Sequence, residues 1–157
     1  VVIGLDLQHE NSQLKAKIAE YELILSSMSA PVIESFLGNV VLVPLTGILT
    51  LERINNIDQA IFDYVAEKPL SECMVIDFTG IDVSDFNYID LHLLTERFEK
   101  LNKTLAIMGI RVLHSGMNPD VVRHFITTGY SLPSESFPSF RTALQQLVRD
   151  GYEKAND

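Results

Sequence analysis

The 157-residue sequence contains a single cysteine, no tryptophan, and 12 basic residues against 21 acidic ones. One cysteine excludes an internal disulfide framework and fits a reducing, cytoplasmic compartment. Cys73 opens the apolar run CMVI, which predicts a buried structural thiol and not a reactive one. A net charge of −9 argues against nucleic acid or an anionic membrane surface as the main partner, since both reward clustered Lys and Arg. No apolar run approaches the roughly 18 to 20 residues of a membrane span. The opening VVIGLDLQHE lacks the basic n-region and long apolar core of a signal peptide. What is present, 46% hydrophobic residues with 8 phenylalanines, suits one globular domain with a real core.

The chain is organised around Cys73 to Leu94, CMVIDFTGIDVSDFNYIDLHLL. Its start is short enough for a buried strand, an acidic loop follows, and a helix is predicted to open at or near Asn87. A strand feeding a helix through such a loop puts polar groups beside the free N–H groups of a helix N-terminus. Phosphoryl groups and partner side chains are received at such places. The expectation is a signalling surface and not a catalytic pocket.

In chain order, Val1 to Leu5 reads as a short strand ended by Gly4 and Asp6, and the chain looks like the cut end of something longer. A heptad helix comes next. Leu7, Leu14, Tyr21 and Met28 repeat every seven residues, and Asn11, Ile18 and Leu25 fill the complementary positions. That is a coiled-coil seam, and an Asn at one a position favours a parallel two-stranded pair. Glu10 would face Lys15 of the partner helix, and Lys17 would face Glu22. The prediction is a homodimer through this helix; the bland alternative is one amphipathic helix packed on its own domain. Ala30-Pro31 closes the helix.

Val32 to Leu45 predicts two strands around a Gly38-Asn39 turn. Thr50 caps a helix carrying Ile54, Ile57, Ile61 and Val65, stopped by Lys68-Pro69. Met74 to Phe78 is the central strand. The helix through Leu91, Leu94, Phe98, Leu101, Leu105 and Met108 stops at Gly109. Ile110 to Leu113 forms a further strand. Asn118-Pro119 starts a helix with Val121, Val122, Phe125 and Ile126 inward, ended by Gly129. Tyr130 to Leu132 reads as an edge strand, and Phe140, Ala143, Leu144, Leu147 and Val148 as a last helix before a polar tail. Alternating strands and helices predict an α/β layer on a largely parallel sheet.

Several residue groups invite chemical readings. Asp77, Asp82, Asp85 and Asp90 are a candidate divalent-metal or phosphoryl-transfer set, but no phosphate-binding glycine loop or positioned lysine accompanies them. Solvated loop acids and helix-start acids are the expected roles. His9, His92, His114 and His124 lack metal-ligand spacing, so no metal site is assigned. His114-Ser115 has no nucleophile-elbow context. Asn102-Lys103-Thr104 matches a glycosylation sequon, but in mid-helix.

Four landmarks together are similar to one family. They are S-A-P-V-I before the first strand, V-P-L-T-G-I-L-T-L-E-R at the start of the first domain helix, I-D-F-T-G-I-D-V at the central strand, and G-M-N-P-D before the third helix. From Ser29 to about Val148 the chain resembles the STAS domain of anti-sigma-factor antagonists, above all the RsbR-type stressosome family. The resemblance implies a STAS-like mixed, largely parallel sheet with packed helices, preceded by a coiled-coil linker helix. It divides the chain into residues 1–28 (sensor end and dimerising linker), 29–150 (STAS domain) and 151–157 (polar tail).

In that family the linker joins a sensor to the STAS domain, and VVIGLDLQHE resembles the exit of a PAS or LOV sensor. The flavin-binding cysteine motif of a LOV domain is absent, so no cofactor is expected in this chain. FMN would belong only to a missing N-terminal sensor. The family's phosphoacceptor follows an Asp before the second helix; here Asp85 is followed by Phe86. A second acceptor position, at the first helix, is held by Leu51. Neither residue can be phosphorylated, and Ser84, Thr79 and Thr50 are the possible substitutes, with loop and cap hydrogen bonding as their plainer roles. The implied function is non-enzymatic: a sensor signal passes through the linker to a surface of Ser84, Asp85, Phe86 and Asn87. That surface would bind related STAS proteins and a serine/threonine switch kinase that controls a general-stress sigma factor, with Phe86 as an exposed contact. The alternative is a nucleotide- or small-molecule-binding output domain.

Overall fold

The computed structural model describes residues 2–131 and 135–156, with the side chains of 25–27 outside that description. Helix α1 spans Val2–Ser27. Strands β1 (Ile33–Glu34), β2 (Val40–Thr46), β3 (Cys73–Gly80), β4 (Arg111–Ser115) and β5 (Ser136–Phe137) alternate with helices α2 (Leu51–Glu67), α3 (Leu91–Ile107) and α4 (Pro119–Ile126). Helix α5 (Phe140–Arg149) comes last. The strands lie side by side in sequence order, β1 antiparallel to β2 and every later neighbour parallel. The sheet is therefore mixed and largely parallel.

That order decides where the helices go. Three successive right-handed crossovers moving in one direction along a sheet put all their helices on one face. Accordingly α2, α3 and α4 share one core with Met74, Ile76 and Phe78 of β3. The intervening Cys73 and Val75 point to the other face, where α5 supplies Ala143, Leu144 and Leu147. Phe78, Phe98 and Phe125 meet edge-to-face at centroid distances of 5.6, 6.4 and 6.0 Å, joining β3, α3 and α4. Burial pushes the Cys73 thiol up to about 12, so it is the inert, structural cysteine the sequence predicts.

Local signals hold where they are short-range. Thr50 caps α2 by accepting from Arg53 N–H at 3.2 Å, and Asn118 caps α4 from Val121 N–H at 2.9 Å ahead of Pro119. Gly109 (φ +82°) ends α3, and Asn39 (φ 61°) takes the left-handed position in the β1–β2 turn.

Four expectations are corrected. Residues 2–5 are helical, not a strand, and continue into the heptad helix. A strand needs a neighbour for its backbone bonds, and none pairs with this segment among the described residues, whereas a helix satisfies those bonds internally. Helix α3 opens at Leu91, not Asn87, because Asp90 accepts from Leu93 N–H at 2.9 Å; Val83–Phe86 form a separate 3-10 turn. The edge strand is Ser136–Phe137, not Tyr130 to Leu132; Leu132 lies outside the described residues. Tyr130 instead packs its ring 5.5 Å from Phe125, and its hydroxyl accepts from Asn102 at 3.2 Å. Ile126 is exposed and not part of α4's inner face, where Val121 and Phe125 are buried.

The polar tail is tied down: Gly38 N–H donates to Glu153 O at 2.8 Å and Ala155 N–H to Phe36 O at 3.0 Å. Helix α1 is the opposite case. Its seam residues Leu7, Asn11, Leu14, Ile18 and Tyr21 are exposed, as is Met28 just beyond it, while the Leu25 side chain lies outside the described residues. Asn56 Nδ2 reaches Met28 O at 3.5 Å where α1 meets α2. No helix among the described residues is long and apolar enough to cross a membrane.

Candidate functional site

Three loops leave the carboxyl ends of β2, β3 and β4, and hydrogen bonds join them into one surface. Gly47 N–H donates to Gly80 O at 3.3 Å and Leu49 N–H to Asp85 O at 3.0 Å. Asn118 Nδ2 reaches Ile81 O at 3.4 Å from the third loop. Within the middle loop, Asp85 closes the 3-10 turn: its carboxylate accepts from Asp82 N–H at 2.8 Å and its own N–H donates to Asp82 O at 3.0 Å.

Buried polar groups brace this surface from beneath. Asp77, in the second half of β3, accepts from Ser115 Oγ at 2.5 Å and from Thr79 N–H at 3.0 Å. Gly116 sits against that pair with φ +73°, and a Cβ there would lie 2.2 Å from Thr79 Oγ1 and 2.8 Å from Thr79 N. Gly116→Ala is therefore expected to lower stability by about 2–4 kcal/mol through backbone strain and overlap; urea unfolding measures it. Arg53, at the start of α2, is buried and donates from Nη1 to Ile48 O at 2.8 Å. Burial lowers its pKa, partly opposed by the charge of Asp85. It braces the Gly47–Thr50 loop, and sequence pattern did not single it out because an Arg in a first helical turn looks solvent-bound.

The aspartates work within the fold. Asp77 holds β4, Asp85 closes a turn and Asp90 caps α3, so they do not converge, and no cluster of His, Cys, Asp or Glu suited to a metal occurs among the described residues. His114 and Ser115 point to opposite faces: Ser115 bonds Asp77, and the His114 ring stacks on Phe78 at 5.6 Å. They form no nucleophile–base pair.

The expected surface is only partly assembled. Ser84 and Asn87 are exposed and Asp85 is half-buried. Phe86, expected as an exposed contact, is a core residue at 4% exposure. Its ring lies 5.4 Å from Phe125 and stacks on His124 at 5.9 Å. With no hydroxyl to present, the side chain gains most by filling the gap between the loop and α4. Leu51 is exposed at the first turn of α2. Among the possible acceptors, the Thr50 hydroxyl is engaged as a cap and Thr79 lies against Gly116. The Ser84 hydroxyl makes no hydrogen bond among the described residues. Ile48 and Tyr88 are exposed neighbours that the sequence reading missed, Tyr88 at 67%. The available signal was a large apolar residue in a loop, off any helical period.

The geometry defines a class. A sheet with helices α2–α4 on one face and strands in unreversed order has no switch-point crevice of the kind that holds ligands in doubly wound folds. What it offers is a cross-bonded loop surface. This is the fold of a STAS domain, as the resemblance implied. A variant of RsbS from Moorella thermoacetica superposes with a TM-score of 0.61 at 13% identity, over 76% of this chain and 95% of that one. A stressosome chain, described as part of a signal integration and transduction hub, gives 0.54 at 14% identity, over 76% and 96%. The murine anion transporter Slc26a9 gives 0.58 at 11% identity, over 88% of this chain but 25% of the transporter. At these identities the shared property is the fold. No protein-family model matches the sequence, and no curated protein matches it significantly.

Proposed function

We propose that this chain is a non-enzymatic signalling module of the cytoplasm. Residues 1–28 form a dimerising linker, residues 29–150 a STAS head and residues 151–157 a tail that buttresses it. The head binds related STAS proteins, of the RsbS and stressosome kind, and a serine/threonine switch kinase, and so tunes release of a general-stress sigma factor. A signal from an upstream sensor reaches the head as a rotation or splaying of the paired linker helices. The chain itself needs no cofactor for this.

The observation that carries the reading is the loop surface: exposed Ile48, Leu51 and Tyr88 beside Ser84, on loops locked together by backbone bonds. A rigid patch with exposed aromatic and aliphatic side chains suits protein recognition, where Tyr is a frequent anchor. Leu51 and Phe86 stand where the family carries its acceptors, so any phosphate transferred by the kinase is assigned to Ser84.

The test is binding of an RsbS-type STAS protein by the full chain. Tyr88→Ala with Ser84→Arg should weaken it about tenfold or more while thermal unfolding stays unchanged. Phe86→Ala, by contrast, should cost about 3 kcal/mol of stability as a core truncation. Undiminished binding by the double variant would remove this surface from the function, and mass spectrometry after kinase treatment reports on Ser84.

A further inference from the structure

The outer side of α5 lies on the sheet face opposite α2–α4, away from the loop surface. Ala143, Leu144 and Leu147 face the sheet. At the edge of that packed face, Phe140 and Val148, with the rim of Leu144 between them, line one groove with Phe36 from the β1–β2 turn. Phe36 and Val148 are both more than half exposed. The Phe36 backbone is held by Ala155, so the far wall of this groove is built and not a loose loop.

The rim carries Arg141 and Arg149. Three other arginines hold carboxylates: Arg97 pairs with Asp58, Arg111 with Glu135 and Asp150, and Arg123 with Asp120, while the buried Arg53 donates to Ile48 O. Arg141 and Arg149 pair with none among the described residues, in a chain with 21 acidic side chains against 12 basic ones. Acids are plentiful, yet none lines this groove among the described residues.

We propose that this groove docks an acidic amphipathic helix of a partner protein. Arg141 and Arg149 are eight residues apart, about 12 Å along the helix axis. A partner helix lying alongside would carry two carboxylates seven or eight residues apart, flanking apolar residues at i, i+3 or i+4, and i+7 that enter between Phe36 and α5.

The probe is a labelled helical peptide of about 18 residues with that pattern, titrated by fluorescence anisotropy against the full chain. A scrambled peptide and a lysine-for-glutamate version serve as controls. The acidic peptide should bind in preference to both. Arg141→Glu with Arg149→Glu should weaken it about tenfold or more and transfer binding to the lysine version. Phe36→Ser should weaken every form, with unchanged circular dichroism and thermal midpoint. No binding, equal binding of the controls, or indifference to the charge reversal overturns the proposal. Co-sedimentation of the chain with phosphatidylserine vesicles through these arginines reassigns the groove to a membrane. A smaller assembly for Phe36→Ser reassigns it to a second copy, and either result also overturns the proposal.

Discussion

Ile18→Asp is expected to convert a dimer into a monomer, read by analytical ultracentrifugation across a concentration series. Helix α1 runs 26 residues, with Leu7, Asn11, Leu14, Ile18 and Tyr21 exposed. A lone helix of this length gains little from propensity in water, since helical stability in proteins comes mainly from packing an apolar face. In the proposed dimer, pairing along Leu7, Leu14, Ile18, Tyr21 and Leu25 would supply that packing, and Asn11 against Asn11 would set register. In a symmetric pair the substitution acts twice. Losing two buried Ile side chains at about 2 kcal/mol each corresponds to roughly a thousandfold weaker association, before any cost of burying the carboxylates. Asn11→Leu should tighten association while loosening the preference for two strands. A wild-type chain that sediments as a monomer at high concentration sinks the linker mechanism, and leaves the loop surface of the head to be judged separately.

The second expected result is an acid sensitivity carried by His114. The side chain is 1% exposed, stacked on Phe78, and neither ring nitrogen has a partner among the described residues. Burial pulls its pKa down from 6.5 to about 4. The folded protein therefore keeps the imidazole neutral while the unfolded chain takes up a proton below about pH 6.5. Stability is full above that pH and is lost progressively as pH falls toward 4. Between pH 7 and pH 4.5 the loss amounts to about 2–3 kcal/mol at 1.36 kcal/mol per pH unit, a large share of an ordinary domain's stability. His114→Leu, close in volume, should remove that share of the pH dependence of urea unfolding and leave the carboxylate share below it. Equal slopes for the two proteins from pH 7 to 5 would show that His114 is not the group responsible.

Both results turn on burial, and burial is where sequence reading and structure part. The caps Thr50 and Asn118-Pro119, the stop at Gly109 and the period of α3 were legible because each depends on atoms within one helical turn. The largely parallel sheet followed from the alternation of strands and helices. Residues 2–5 misled because the sequence there has strand propensity, yet no strand lies beside it among the described residues. Phe86 misled for a related reason: its chain neighbours are loop-like, and what buries it is α4, far later in the chain. Arg53 and the α5 groove were invisible on the same grounds.

Taken by itself, the sequence determined the α/β class, the caps at Thr50 and Asn118, the helix stop at Gly109, the heptad spacing of the first helix, and that neither Leu51 nor Phe86 carries a hydroxyl. Only the tertiary structure decided which loop residues face outward, which carboxylates serve the fold, and that His114 and Arg53 lie beneath the surface. Capping and periodicity are written in neighbouring residues. Exposure depends on what packs across the sheet, and that is chosen by the whole chain at once.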